Sequence, residues 1–266
     1  MNQNSTENSK LNKLFFILSG VFLANVILAE LTGVKIFSLT KLLGLENFNN
    51  PFSDGGKVNL YMSVGVLIWP FAFILSDIIN EYFGKKGVQR ISILAAIMVL
   101  YCSIIIFIST KLPPAVFWQE LNGKDAFGNP LDINYAYKVI FSQGISIIAG
   151  SITAFLLSQL VDVHTFHWIR KITGHKQLWL RATGSTVISQ LIDSYVVLTV
   201  AFYFIGGIGG RWSFMQVLQV GTMQYLYKIS FAILLTPLIY LFHWIIDRYL
   251  GGKKAEEVIE ETNKNW

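Results

Sequence analysis

The chain has 266 residues, 53% of them hydrophobic and only 14% charged, with a net charge of +5 and a mean hydropathy of +0.51. A soluble domain carries about a quarter charged residues, so this composition excludes a freely soluble protein and makes a bilayer the solvent for much of the surface. The basic balance does not indicate nucleic acid: the cations sit in short segments between apolar runs, where they orient membrane helices instead of lining a phosphate-binding face.

Residues 1–13 are polar and Asn/Ser-rich, and read as a cytoplasmic N-terminus. Apolar stretches follow from Leu14 to Gly33, Leu60 to Asn80, Ile91 to Thr110, Ala136 to Val161, Thr183 to Ile205 and Val217 to Ile246. A hydrocarbon core of about 30 Å is crossed by roughly 20 apolar residues, and in lipid a helix is the form that satisfies its own backbone over such a run. The expected fold is an all-α integral membrane protein: a bundle of six transmembrane helices over 14–250, then a cytoplasmic tail at 251–266. The first stretch is too long for a signal-peptide core and is expected to be retained. The tail, with Glu256, Glu257, Glu260 and Glu261, is expected to be a frayed, solvated helical end.

With both termini inside, Lys10, Lys13, Lys85, Lys86, Arg90, Arg170, Lys171, Lys176, Arg181, Arg248, Lys253, Lys254 and Lys264 fall on the inner side. Lys35, Lys41, Lys57, Lys111, Lys124, Lys138 and Arg211 fall on the outer side. The inner excess predicts N-in and C-in. Val34 to Asn59 and Lys111 to Tyr135 are the long outer connections, the second punctuated by Pro113-Pro114. The glycine run from Gly206 to Gly210 opens a further outer loop. His164, His167 and His175 are expected in a solvated inner loop, with no third ligand near them for a metal. The chain has no GxSxG, HExxH or GxxxxGK[ST] motif. It is read as neither an enzyme nor a holder of metal or cofactor.

A charge at the centre of a membrane helix costs about 2.5–3.5 kcal/mol on insertion scales, so function is sought at Glu30, Asp77, Asp193 and Lys228. Asp193 and Lys228 lie at matching depth in the last two stretches and are expected to pair. Ser185, Ser189 and Asp193 recur every four residues, as do Thr186, Gln190 and Ser194 beside them. Both rows fall on one helix face, which reads as the wall of a polar cavity. Asp77, Asn80 and Glu81 share a face near an inner helix end, either as part of that cavity or as a terminus emerging into water beside Lys85 and Lys86. Trp69 either stacks on a flat ligand or packs. Pro70 and Pro237 are expected to kink their helices and help gating. Asn25 lies deep in the first stretch, Glu30 towards its outer end. Gly150 and Ala154 form a small-xxx-small pair suited to close helix packing.

Three patterns carry a resemblance. They are Ser76-Asp77-Ile78-Ile79-Asn80-Glu81-Tyr82-Phe83-Gly84-Lys85-Lys86; Leu178-Trp179-Leu180-Arg181 with Gly184-Ser185-Thr186 and Gln190-Leu191-Ile192-Asp193-Ser194; and Tyr225 and Lys228 with Ala232 and Thr236-Pro237. In these the chain resembles the bacterial queuosine precursor transporters, grouped with the vitamin uptake transporters, over about Leu14 to Leu250. The resemblance implies import of 7-cyano-7-deazaguanine or 7-aminomethyl-7-deazaguanine across the bacterial cytoplasmic (inner) membrane, for salvage into tRNA queuosine. The partners implied are the small base and the lipid bilayer, with no nucleic acid. A deazaguanine offers N1–H and an exocyclic amine that one carboxylate accepts in bidentate fashion: Asp193, Asp77 or Glu30 suit that edge. Gln190, Asn25 or Lys228 suit its oxygen, and Trp69 its face. The alternative is a substrate-capture subunit for another flat heterocycle or vitamin, dependent on a separate energising module.

Overall fold

The structure is a computed structural model that describes residues 3–33, 35–44, 61–141, 145–173, 177–206 and 210–264. Most of the connection from Val34 to Asn59, with Lys57, together with His175, Lys176 and the centre of the Gly206 to Gly210 run, lies outside the described residues.

The described chain is helical apart from one small ribbon. Its elements are α1 (Gln3–Thr32), β1 (Ile36–Ser38), α2 (Leu39–Leu42), β2 (Tyr61–Ser63), α3 (Trp69–Lys111), α4 (Val116–Leu121), α5 (Ile133–Phe141), α6 (Ile145–Thr173), α7 (Leu178–Leu198), α8 (Phe214–Leu250) and α9 (Gly252–Lys264). The ribbon is antiparallel, with Phe37 opposite Met62.

Five described helical segments are long and apolar enough to cross a membrane. Their outer faces are apolar: Ile93, Ile97, Leu100, Ile104 and Phe107 of α3 are all exposed, three or four residues apart, and so are Phe16, Val21 and Leu28 of α1. The interior instead collects polar groups, with Ser76, Asp77, Asn80, Glu81, Gln159, Asp162, Ser185, Ser189 and Gln190 all buried. Water would order these surfaces the other way round; lipid solvates the first set and leaves the second to pair with itself.

Straight, the 43 residues of α3 would reach about 65 Å, twice the hydrocarbon thickness. The helix does not run straight. Gly84 has φ 68° and ψ −176°, a region that only glycine occupies without strain, and the chain reverses there. Ser76 and Ser92, on either side of it, both turn their hydroxyls to Gln159 Oε1, at 2.9 and 3.5 Å. In a straight helix they would stand about 24 Å apart. α3 is therefore two antiparallel arms, 69–83 and 85–111.

Several expected boundaries move. The stretch read from Leu60 becomes helix only at Trp69, after β2 and a 3-10 turn at Val64–Leu67. Pro70 consequently sits in the first helical turn, where its missing N–H is not needed and no kink follows. Residues 136–141 belong to α5, and α6 runs on to Thr173. Asp162, His164, His167 and Arg170 thus lie on a helix, and His164 and His167 are not loop residues.

α6 and α7 pack antiparallel: Gly150 faces Val197 and Ala201, Ser189 faces Asp162, and Gly184 faces Ile169. A Cβ on Gly150 would come within 2.8 Å of the Val197 carbonyl oxygen, so only hydrogen fits there. α7 continues as a π-helical turn over Thr199–Ile205. α8 opens with a reciprocal Ser213–Gln216 capping box and runs through Pro237 to Leu250. The tail is not frayed. α9 buries Ala255, Val258 and Ile259 in the common core, and Thr262 Oγ1 donates to the Tyr82 carbonyl at 3.1 Å. An apolar stripe at positions i, i+3 and i+4 within charged surroundings is what makes that segment dock.

Candidate functional site

Arm 69–83, α7 and α8 border a cavity in the interior of the bundle. Trp69, Phe73, Ile74, Phe231 and Leu235 give it apolar walls, and Asp77, Thr186, Gln190, Tyr227 and Lys228 supply polar atoms. These residues converge because the arm presents Trp69, Phe73 and Asp77 at intervals of four, while α7 turns its Thr186/Gln190 row to the same space.

Several of the polar atoms are orphaned. Among the described residues, Asp77 Oδ1, both amide atoms of Gln190 and the Tyr227 hydroxyl are buried without a hydrogen-bond partner. Each such group costs about 1–3 kcal/mol unless something pairs with it. Four of them occur on this one cavity. Lys228 Nζ donates to Asp193 Oδ2, so a carboxylate on α7 holds the ammonium at the cavity wall. On the side of the cavity towards Gly84, the Asp77 carboxyl lies beside the Asp162 carboxyl of α6, between the Ser76–Gln159 and Asn80–His167 contacts. Ser189 Oγ stands 3.1 Å from Asp162 Oδ1.

One turn further, three consecutive residues fasten the arm to its neighbours. Asn80 Oδ1 meets His167 Nε2 at 2.8 Å. Glu81 takes two hydrogen bonds from Arg181 (Nη2 to Oε1 at 2.7 Å, Nε to Oε2 at 3.2 Å) and one from Arg170 at 3.2 Å. Tyr82 donates to Asp247 Oδ1 at 2.7 Å. This corrects two expectations. Glu81 is 1% exposed and no solvated terminus, and Arg170 and Arg181, at 6% and 2%, are not inner-loop charges. A buried carboxylate requires cations beside it, and these two arginines are the ones it takes.

The structure places the remaining candidates as follows. Asn25 turns its amide back to the Val21 carbonyl at 2.8 Å. Glu30 accepts from Ser151 Oγ at 2.7 Å and lines a separate cavity of about 200 Å³ with Trp69 and Phe155. α1 therefore contributes nothing to the larger cavity. Trp69 borders both and packs against Phe73 and Phe155, with ring centroids 5.9 and 5.6 Å away. Ser194 is fully buried beside Asp193, outside the cavity lining. Pro70 is part of the lining and Pro237 is not. Sequence reasoning missed Asp162, Tyr227, and the inward roles of Arg170 and Arg181. The signal for Asp162 is present in the sequence: Ser158, Gln159 and Asp162 share one face of α6, but Asp162 lies one residue beyond the fourth apolar stretch.

Apolar outer faces around a cavity ringed by unpartnered polar atoms define a multi-pass membrane protein with a small-molecule site. The model of the family described as "Putative vitamin uptake transporter" matches residues 63–242, and the chain belongs to that family. It is 28% identical over 144 residues to the "Probable queuosine precursor transporter" of Bacillus subtilis, covering 54% of this chain and 57% of the relative. It is 25% identical over 204 residues to the protein of the same name from Haemophilus influenzae, covering 75% and 73%. To the "Queuosine precursor transporter" of Escherichia coli it is 27% identical over 171 residues, covering 64% and 66%. The chain thus spans little more than half the length of the first of these relatives. No solved structure matches the chain.

Proposed function

We propose that the chain imports queuosine precursors, 7-cyano-7-deazaguanine or 7-aminomethyl-7-deazaguanine, through the cavity between arm 69–83, α7 and α8. One observation carries this reading: the buried, unpartnered Asp77 Oδ1, Gln190 amide and Tyr227 hydroxyl share that cavity with aromatic walls. A deazaguanine is flat and carries donors and an acceptor on one edge. Asp77 accepts from the N1–H and exocyclic amine, Gln190 and Lys228 donate to the oxygen, and Phe73 and Phe231 flank the ring. Each partnership removes a desolvation cost of the empty site. The names of the relatives support the same substrate class.

The arrangement in the membrane follows. Arm 69–83, lengthened at its outer end by the 3-10 turn Val64–Leu67, and arm 85–111 each cross once, which with α1, α6, α7 and α8 makes six crossings. Gly84, α9 and both termini lie inside. Lys85, Lys86, Lys171, Arg248, Lys253 and Lys254 cluster at that end, as the positive-inside rule requires of the cytoplasmic side. The membrane is the bacterial inner membrane, and the chain performs no chemistry on its cargo.

The test is queuosine content in tRNA, in a bacterium lacking its own precursor synthesis and importer and fed either base. Expression of the chain restores queuosine. Gln190→Leu and Lys228→Met do not, although both proteins reach the membrane. No restoration by membrane-inserted wild type would refute the reading.

A further inference from the structure

We propose that the Asp77–Asp162 pair is a proton-binding site and that import of the base is coupled to the inward movement of one proton. The inference rests on the transport reading above.

The two carboxyls come from different helices, are 3% and 1% exposed, and sit side by side, bracketed by the Ser76–Gln159 and Asn80–His167 hydrogen bonds that hold arm 69–83 against α6. Two carboxylates sharing one buried site do not both ionise, so the pair keeps a proton. The Ser189 hydroxyl approaches Asp162 from α7 at 3.1 Å, so that member is supported by a fixed dipole away from the cavity. Asp77 is the member that faces the cavity, with Oδ1 unpartnered there beside the equally unpartnered Gln190 amide. The atom that meets the cargo thus belongs to the group that shares the proton. Whatever bonds to Oδ1 changes the charge the pair tolerates, and this is the linkage a coupled carrier needs. The other charged groups facing Asp77 are Glu81 on its own arm, Arg181 on α7 and Lys228 on α8 across the cavity. Glu81 and Arg181 stand on the Gly84 side, between the pair and the basic end of the bundle. They mark the route by which the proton leaves. With the cyano base, which is neutral, one base and one proton enter per cycle, so net positive charge moves inward.

The experiment uses the purified full chain in liposomes, radiolabelled 7-cyano-7-deazaguanine and an entrapped pH dye. Exchange of labelled for unlabelled base at equal pH measures carriage alone. Accumulation under an acid-outside gradient measures coupling. At one proton per base, one pH unit sustains about a tenfold accumulation. The wild type is expected to reach it, to acidify the lumen as base enters, and to lose accumulation with a protonophore. Asp162→Asn, which does not touch the cavity, is expected to exchange base but not accumulate it. Ser189→Ala keeps both carboxyls and serves if Asp162→Asn does not fold; it is expected to displace the pH profile of accumulation. Wild-type exchange without gradient-driven accumulation overturns the coupling and leaves the transport reading standing. Full accumulation by Asp162→Asn, or an unmoved profile in Ser189→Ala, overturns the assignment to this pair. Absence of wild-type exchange overturns the transport reading itself, and the coupling with it.

Discussion

Glu81→Gln tests how the base of the cavity is held. The carboxylate is 1% exposed and lies between Arg181 and Arg170, which are 2% and 6% exposed. The amide keeps its size and one acceptor oxygen but leaves two buried guanidiniums without a counter-charge. Breaking a buried ion pair from one side costs about 3–5 kcal/mol, and each 1.4 kcal/mol is a factor of ten. The folded population is therefore expected to fall by about two to three and a half orders of magnitude. At roughly 2–4 °C per kcal/mol for a chain of this size, the melting point drops by about 6–20 °C. The arginines are not equivalent. Arg181 gives two hydrogen bonds, one of 2.7 Å, whereas Arg170 gives one of 3.2 Å and leaves Nε and Nη1 without a hydrogen bond. Arg170→Gln leaves a neutral two-bond pair behind and costs about 1–2 kcal/mol; Arg181→Gln falls between. The assay is thermal unfolding of the three variants in detergent, read by the fraction remaining monodisperse. A Glu81→Gln melting point equal to that of Arg170→Gln, or Arg170→Gln melting below Arg181→Gln, refutes this account of the triad.

Gly84→Ala forces a Cβ into φ 68°, ψ −176°, at a cost of about 1–3 kcal/mol; the variant is expected to melt lower and to reach the membrane in smaller amounts. Gly150→Ala places its Cβ 2.8 Å from the Val197 carbonyl oxygen and 2.9 Å from Ala201 Cβ. Prising α6 from α7 in this way costs about 1–3 kcal/mol and reduces uptake, whereas Gly20→Ala, with open space around it, changes neither stability nor uptake. In the connection between α4 and α5, Asp125 takes the Asn129 side chain at 3.0 Å and the Asn129 and Phe127 amides at 2.8 and 2.9 Å. These bonds, the Asn129 side chain first, hold its carboxyl below the ordinary value. The order this gives the loop is present above the ordinary carboxylate pKa and is lost as pH falls through the depressed one. Proteolysis at 123–131 should rise on acidification, and the rise should be absent in Asp125→Asn. Truncation after Gly251 removes the buried Ala255, Val258 and Ile259 and is expected to lower the melting point; an unchanged value would show that α9 does not contribute to the core.

Much of the bundle was legible in the sequence because lipid imposes a single rule, a long apolar run folded as a helix, on every stretch it solvates. The places where reading failed share a cause. His167, Arg170 and Arg181 read as inner-side residues because a charge ends an apolar run on any hydropathy scale, and Asp162 falls just beyond the fourth stretch for the same reason. Yet all four are buried by partners contributed from arm 69–83, and a partner distant in sequence is invisible to a local window. The pairing of Asp193 with Lys228 was readable because each is the one charged residue of its stretch, at matching depth, leaving the other as its natural counter-charge. Asn25 and Glu30 show the converse. Depth alone recommended them, but a polar residue in a membrane helix has cheap local exits, one to its own backbone carbonyl and one to a neighbouring serine, and depth does not reveal which exit is taken. What separates cavity residues from these is failure to find a partner. Gln190 has both amide atoms unpaired and Asp77 one oxygen, and both residues line the cavity. In a medium that penalises each unpaired atom, several of them on one wall are the groups with which the proposed base would pair.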